Sequence, residues 1–256
     1  SPIMGRSEVK GKMVNVEVVS GGTYKLDIPD GPTYYSETAT IRPYMQRFMY
    51  KRFIMKTDST PNRFVKTLMS DDLNIDLKDN DGGFNCGKAA GYIRDFKSLP
   101  DKMQELLKQI KRTRVVFGTI ELDNPVDDTG ASVTVGATPF IWEVENRDAF
   151  KTMGINVFDK LRKMKRLPTH HYARLATEER QLPNGSCFYL PLATLDLTKT
   201  LGMDDESQEI LANFLAWVAN YNVYINNAWD ENMHKHEEVD KEIVDDFIDI
   251  TAEEFA

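Results

Sequence analysis

The residues best suited to chemistry form a glycine-rich loop that ends in a lysine. Gly82, Gly87 and Lys88 have the spacing of a phosphate-binding loop, in which backbone amides and a lysine hold a phosphate. Ala89 stands where such a loop carries a Mg²⁺-binding hydroxyl, and no strongly hydrophobic strand precedes Gly82. The pattern argues against nucleotide hydrolysis and leaves two readings, a phosphate contact by Lys88 and an ordinary loop.

Side chains that bind metals or act as nucleophiles are sparse. Cys86, Cys187, His170 and His171 form no CxxC or HxxxH unit, the spacing typical of zinc sites. Two cysteines do not make a disulfide framework, and the polar amino terminus is no signal peptide, so we expect a cytoplasmic, reducing location. No serine or cysteine stands in a nucleophile motif. We therefore expect no metal, no cofactor, no catalytic residue and no enzyme activity.

Residues 41–54, IRPYMQRFMYKRFI, combine aromatic rings and four basic residues without an acid. Because strand residues alternate between faces, a regular strand here would place Arg42, Tyr44, Phe48 and Tyr50 on one face and bury Phe53 on the other. Aromatic rings stack on bases whatever their sequence, and arginine adds phosphate and cation–π contacts. The stretch predicts a single-stranded nucleic-acid site. The predicted stacking residues are Tyr44, Phe48 and Tyr50, and the predicted phosphate contacts are Arg42, Arg47, Lys51, Arg52 and Lys88.

Two other readings of this stretch stay open. Tyr44, Phe48 and Tyr50 could be core residues of a strand whose lysines and arginines extend their charged ends into solvent. The stretch could equally contact another protein, because tyrosine, methionine and arginine are enriched at interfaces.

A second basic segment lies at residues 160–175 and contains no acid. As a helix end followed by a loop, it offers several phosphate contacts. A solvent-exposed helix face is the alternative, since basic side chains also suit the carboxyl end of a helix. The predicted phosphate contacts here are Lys160, Arg162, Lys163, Lys165 and Arg166.

The acidic residues concentrate at the carboxyl end of the chain. The whole sequence has a net charge of −8, whereas residues 230–256 hold 11 acids and two lysines and carry −9. The other residues therefore carry about +1, which is compatible with binding an anion. Phe247 and Phe255 interrupt the acidic run and predict a partner-binding segment. A disordered end and a last amphipathic helix are the alternatives.

The aromatic–basic strand, the basic patches and the acidic, aromatic-containing tail together resemble the single-stranded-DNA-binding proteins of tailed phages and bacteria. The resemblance implies a barrel of the oligonucleotide-binding (OB) type that holds the strand. It also implies a tail that recruits replication and recombination proteins, and it is compatible with a homo-oligomer. We expect no membrane partner, because no apolar run approaches the roughly 20 residues of a membrane helix. The alternative function is a viral structural or scaffold protein-interaction module.

The elements that must position these residues predict the α+β class. Short strands interrupted by helices suggest a small antiparallel β-barrel or sheet of the OB type, with helical insertions and a long C-terminal helix. We expect one domain over residues 4–229 and a flexible acidic tail over residues 230–256. The predicted strands cover 7–29 as a pair around Gly21 and Gly22, 37–55, 112–123 and 185–197, and the predicted helices cover 58–70, 100–111 and about 205–229.

Overall fold

The computed structural model describes residues 13–19, 21–91 and 93–253, with side chains to residue 234. Within these residues, nine strands and four α-helices make up the regular structure, so the α+β class is confirmed. The strands are β1 (Asn15–Val19), β2 (Thr23–Asp27), β3 (Thr33–Ser36), β4 (Ala39–Ile54), β5 (Arg63–Lys66), β6 (Ile110–Leu122), β7 (Thr138–Val144), β8 (Ala173–Gln181) and β9 (Cys187–Leu195). The helices are α1 (Asp101–Gln109), α2 (Arg147–Met153), α3 (Lys160–Lys163) and α4 (Asp205–Glu253), and a π-helix, Gly154–Asp159, joins α2 to α3.

The strands form one open sheet rather than a closed barrel. Its order is β3-β2-β1-β7-β6-β4-β8-β9, and β5 adds to β4 outside this path. The sheet is mixed, because β1 pairs with β7 in parallel while β1–β2, β2–β3, β6–β7 and β8–β9 are antiparallel. In place of the expected small antiparallel barrel or sheet of the OB type, the described residues form a larger mixed sheet that is open rather than closed.

The contacts divide the chain into two compact units. The first contains the residues up to Phe48 together with Arg112–Asn220. The second contains Met49–Lys111 and the chain from Tyr221 onward. The strand β4 and the helix α4 each contribute residues to both units.

In the first unit, helices cover both faces of the sheet. Phe117 of β6 contacts Phe214 and Trp217 of α4 at ring-centroid distances of 5.5 and 5.7 Å. Its neighbour Val116 belongs instead to a buried cluster that includes Ala149 of α2 and residues of α3. Successive strand residues point to opposite faces, so α2 and α3 lie on one face and α4 lies on the other.

In the second unit, polar side chains of α4 bind the backbone of residues 67–83. Tyr221 donates from its hydroxyl to the Thr67 carbonyl at 2.9 Å. Asn222 accepts from the Met69 amide and donates to the Met69 carbonyl. The Trp229 indole donates to the Gly83 carbonyl at 3.0 Å. These bonds satisfy backbone groups that no regular strand pairs.

The helix predicted over residues 58–70 is absent, and the predicted end of the long helix near residue 229 was wrong. Residues 63–66 form β5, which pairs with the end of β4. Val65 is buried, whereas Phe64 is exposed and Lys66 is half-buried, and this alternation is the two-residue period of a strand. The stretch from Asp58, expected to cap a helix, forms the turn before β5, in which the Thr57 amide donates to the Thr60 carbonyl. The long helix does not end near residue 229, since α4 continues to Glu253. Its start, with Asp204 accepting from the Ser207 amide, is as expected.

Candidate nucleic-acid interface

The aromatic–basic strand β4 does not keep one face throughout. Tyr44 contacts Phe214 of α4, whereas Phe48 contacts Phe150 of α2, with ring centroids 5.8 and 5.9 Å apart. In a regular strand these two residues share a face. The alternation of faces therefore shifts by one residue between Tyr44 and Phe48, as it does at a β-bulge. Pro43, Tyr44 and Met45 are buried in succession.

Two of the three predicted stacking rings are inside the protein. Tyr44 is 4% exposed and Tyr50 is 0% exposed. Tyr50 donates its hydroxyl to the Leu73 carbonyl at 3.1 Å. The prediction that Tyr44 and Tyr50 stack on bases was wrong, because both rings are buried in the interior of the protein. Phe48 is half-buried and lies against Phe150, so it presents no open ring face either.

Several predicted phosphate-binding cations are turned to the protein itself. Arg42 donates to the Thr169 carbonyl (2.9 Å), the Ser207 hydroxyl (3.0 Å) and the Gly202 carbonyl (2.6 Å). Lys88 donates to the Tyr50 hydroxyl and to the carbonyls of Ala89 and Gly91. These two side chains bind neighbouring loops of the protein, and phosphate binding by Arg42 and Lys88 stays a prediction.

The remaining cations of β4 are partly engaged. Arg52 donates from Nε to Gln109 of α1 at 3.0 Å, and Arg47 donates to the Gln46 carbonyl at 2.9 Å. Lys51 is 8% exposed, and its ammonium lies 5.6 Å from the centroid of the Phe64 ring. Arg47 and Arg52 are half-buried and Lys51 is buried, and phosphate binding by these three residues stays a prediction.

Phe48 belongs to a stack of alternating rings and guanidinium groups in the first unit. The Arg114 guanidinium lies 4.9 Å from the Phe48 ring and 4.4 Å from the Phe150 ring, and Arg112 lies 5.1 Å from Phe150. A Cβ at Gly154 would collide with Arg114, so the glycine makes room for the stack. Burial lowers the pKa of Arg114 to about 10, which leaves it charged at neutral pH. The stack is an interior support rather than a stacking platform.

The glycine-rich loop is closed by a carboxylate rather than open to a phosphate. Asp79 is 2% exposed and accepts from the backbone amides of Asp81, Gly83 and Cys86 at 2.9–3.1 Å. Burial raises the pKa of Asp79, while these amide bonds act in the opposite direction. The amides that would hold a phosphate are thus already occupied. Of the two readings, the ordinary loop fits the geometry.

Exposed rings lie instead on the hairpin of β4 and β5, in the second unit, beside the buried Lys51 and the half-buried Lys66. Phe53 and Phe64 face each other across the strands with ring centroids 4.9 Å apart, and they are 42% and 50% exposed. Lys51 pairs with Lys66, and the Lys66 ammonium lies 5.4 Å from the Phe64 ring. Because opposite residues and residues two apart share a face, these four side chains form one surface.

The same surface continues beyond β5. Isolated bridges pair Thr67 with Asp79 and Lys78 with Phe84, so alternation places Lys78 and Phe84 on the face of Lys66. Phe84 is 44% exposed, its ring lies 5.7 Å from Trp229, and Lys78 lies 3.9 Å from Trp229. We call this surface the ring–lysine face. Its residues are Phe53, Phe64, Phe84, Lys51, Lys66 and Lys78.

The ring–lysine face was missed because Phe53 was assigned to the buried side of a regular strand. The shift in phase near Tyr44 cannot be read from residue types alone. A signal was present in RFVK, residues 63–66, where a ring and a lysine stand two residues apart as they do at Lys51 and Phe53. Reading 58–70 as a helix concealed that pairing.

The second basic segment is exposed as predicted. Lys160, Arg162, Lys163, Lys165 and Arg166 are exposed at the end of α3 in the first unit, and Arg162 pairs with Asp159 at 2.8 Å. The Arg166 amide bonds the Leu161 carbonyl and the Lys165 amide bonds the Arg162 carbonyl, the pattern of a Schellman motif. Lys165 has a φ of 55° where glycine is usual. We call these five residues the basic cluster.

The acidic segment is described only in part. Residues 230–253 continue α4, so Phe247 stands on a helix, and its side chain is not described. Phe255 lies outside the described residues. Partner binding by both residues stays a prediction.

No family model matches this chain, and neither a curated protein nor a solved structure does. Among the described residues, no helix is long and apolar enough to span a membrane, and no group of three histidine, cysteine or acidic side chains is placed to hold a metal. His171 has its Nδ1 within 3.1 Å of two backbone carbonyls, which fits a structural histidine. The geometry of the exposed surfaces therefore carries the functional argument alone.

Proposed function

We propose that the protein binds single-stranded nucleic acid, with DNA as the expected form, without sequence preference and in the service of replication or recombination. The observation that carries the proposal is the exposed Phe53–Phe64 ring pair flanked by Lys51 and Lys66. Rings of this kind accept any base, since every base has a π-face. Lysines beside them attract the phosphates that join successive bases.

The ring–lysine face suits a flexible strand better than a duplex. Stacking on a ring requires a base whose face is free, and each stacked base contributes about 1–3 kcal/mol. The bases of a duplex are already stacked on one another, so a duplex could contact the lysines only. The proposal therefore includes a preference for single strands. It requires no OB-type barrel, because an exposed face of an open sheet supplies the same rings and cations.

The basic cluster adds a second set of phosphate contacts in the first unit. Its five cations are exposed, and only Arg162 has an ion-pair partner among the side chains described here. Each phosphate neutralised on a single strand contributes about 0.7 to the slope of log affinity against log salt. The cluster would thus strengthen binding without adding sequence preference.

The acidic segment from residue 230 would recruit protein partners through Phe247 and Phe255. Its net charge of −9 suits a partner with a basic surface. This part of the proposal rests on the sequence alone.

The proposal is tested by fluorescence anisotropy of a labelled oligothymidine and of the matching duplex at several salt concentrations. We expect tighter binding of the single strand and a steep loss of affinity with salt. Lys163→Ala with Lys165→Ala should lower the salt slope by about 1.4 if each lysine contacts one phosphate. Lys199→Ala, an exposed lysine outside the basic cluster, is the matched control. Binding that ignores salt, or that prefers the duplex, would contradict the proposal.

A protein-interaction module, for example a viral structural or scaffold protein, is the second candidate. The observation in its favour is apolar surface on α4, where Val223 and Tyr224 are 57% and 52% exposed. Light scattering distinguishes the two functions. Assembly that rises with protein concentration and ignores added oligonucleotide favours the module.

A further inference from the structure

The ring–lysine face carries a second pair of aromatic rings at Phe84. Phe84 is 44% exposed, and its ring centroid lies 5.7 Å from that of Trp229, a residue of α4. The Lys78 ammonium lies 3.9 Å from the centroid of the Trp229 ring. We call Phe84, Trp229 and Lys78 the indole cluster, and all three residues belong to the second unit. The cluster repeats the combination of two rings and a nearby lysine that the β4–β5 hairpin presents.

Trp229 is the tryptophan that reaches the surface. The chain has three tryptophans, of which Trp142 and Trp217 are buried and Trp229 is half-buried. The indole N–H of Trp229 donates to the Gly83 carbonyl at 3.0 Å. An indole has no other hydrogen-bonding group, so Trp229 offers a ligand its ring and no further donor. Such a contact is suited to a flat ring and does not distinguish one base from another.

The loop that carries Phe84 is fixed to one turn of α4. Besides the bond of the indole, Asn232 donates to the Asn80 carbonyl at 2.7 Å. A Cβ on Gly82 would approach the Met233 amide nitrogen to 2.7 Å, so the loop backbone and the helix backbone touch directly. These contacts hold the two rings of the indole cluster in place before a ligand arrives. Binding there would lose little side-chain freedom, which favours affinity.

The indole cluster lies too far from the Phe53–Phe64 pair for one base to contact both. The Leu68 amide donates to the Lys78 carbonyl, and Lys78 bridges to Phe84. Phe84 is therefore two strands across from β5 and four residues along from Phe64. At about 3.3 Å per residue and about 4.8 Å between strands, the backbones of Phe64 and Phe84 are roughly 16 Å apart. That separation corresponds to about five nucleotides at the 3.4 Å spacing of a stacked strand.

We propose, as an extension that rests on the proposed function, that the indole cluster stacks a further base of the same nucleic-acid strand. The base would pack on the Phe84 and Trp229 rings, and Lys78 would contact the adjoining phosphate. Lys78 makes no ion pair with any side chain described here, so no carboxylate neutralises its charge directly. The strand would continue from this cluster to Phe53 and Phe64, and the second contact would add affinity without sequence preference.

The proposal is tested by the fluorescence of the indole itself, because a base stacked on a tryptophan quenches its emission. Titration of the wild type with oligothymidine should quench tryptophan fluorescence to saturation, and Trp229→Phe, which keeps the two buried tryptophans, should lose the quench. Phe84→Ala should weaken binding at least about fivefold. Lys78→Ala should lower the salt slope by about 0.7 if the lysine contacts one phosphate. Phe96→Ala, which truncates another exposed ring of the same unit, is the control and should keep both affinity and quench.

Failure of this proposal can be distinguished from failure of the proposed function. If the wild type binds oligothymidine without a change in tryptophan fluorescence, the indole cluster does not stack a base and the proposed function stands. A quench that persists in Trp229→Phe, or wild-type affinity in a folded Phe84→Ala variant, overturns the proposal in the same way. If the wild type does not bind oligothymidine, both proposals are wrong. The wild-type titration requires no variant, so the test holds even where a substitution unfolds the protein.

Discussion

Replacing the buried tyrosines of β4 by phenylalanine tests whether they serve the interior or a nucleic acid. Tyr50→Phe removes a hydroxyl that donates to the Leu73 carbonyl at 3.1 Å and accepts from Lys88 at 3.3 Å. Tyr44→Phe removes a hydroxyl with no hydrogen bond to a described residue. Both changes keep the ring, so any difference between them reports on the two hydroxyls.

The two variants should differ clearly in stability. In Tyr50→Phe the Leu73 carbonyl becomes a buried acceptor without this donor, while Lys88 keeps the carbonyls of Ala89 and Gly91. We expect a loss of about 1–2 kcal/mol in the free energy of unfolding. At about 2–4 °C per kcal/mol for a chain of this size, the melting temperature falls by roughly 2–8 °C. Tyr44→Phe should stay within about 0.5 kcal/mol of the wild type.

The assay is thermal and urea unfolding followed by circular dichroism, with oligothymidine affinity measured in parallel. Wild type, Tyr44→Phe and Tyr50→Phe should bind the oligonucleotide equally well when folded. A Tyr50→Phe variant as stable as the wild type would refute the interior hydrogen bond. A loss of stability in Tyr44→Phe as large as in Tyr50→Phe would show that the Tyr44 hydroxyl has a protein partner.

Three further predictions concern the supports of the fold. Gly118→Ala should be destabilised by about 1–3 kcal/mol in urea unfolding, because its Cβ would collide with the Arg42 carbonyl. Arg114→Lys should lower the melting temperature more than Arg112→Lys, since Arg114 is buried between two rings and Arg112 is exposed. Equal changes in melting temperature would show that the stack of rings and guanidinium groups does not stabilise the fold. Burial raises the pKa of Asp79, so the stability that Asp79 contributes falls as pH rises through its folded-state pKa. The loss in free energy of unfolding caused by Asp79→Asn should therefore be larger at pH near 4 than at pH 7. A loss that grows with pH would contradict this sign.

Local patterns predicted several elements of the fold correctly. The spacing of apolar residues, Leu106 and Leu107 among them, predicted α1. Gly21 and Gly22 predicted the turn between β1 and β2, where both glycines have positive φ. Asp204 marked the start of α4 through its side chain. These signals act over a few residues, so one sequence is enough to read them.

The larger arrangement depends on contacts that the sequence does not express. An open mixed sheet needs the parallel pairing of β1 with β7, strands separated by more than a hundred residues. The prediction of which rings are exposed was wrong for a related reason. Whether Tyr44, Phe48 and Phe53 are buried depends on which helices cover β4 and on the shift in the alternation of faces near Pro43. The exposure of the basic cluster could be read from the sequence, because a run such as Lys160–Arg166 with only two apolar residues has few ways to be buried; its phosphate binding stays a prediction.

The most direct test of the central claim measures oligothymidine affinity in Phe53→Ala with Phe64→Ala. Both rings are about half exposed, so the double variant should fold, which circular dichroism can verify. If each ring stacks one base at about 1–3 kcal/mol, affinity should fall at least about thirtyfold at fixed salt. Phe96→Ala, which truncates a 36% exposed ring in the same unit, should bind like the wild type. A folded double variant with wild-type affinity would contradict nucleic-acid binding at the ring–lysine face.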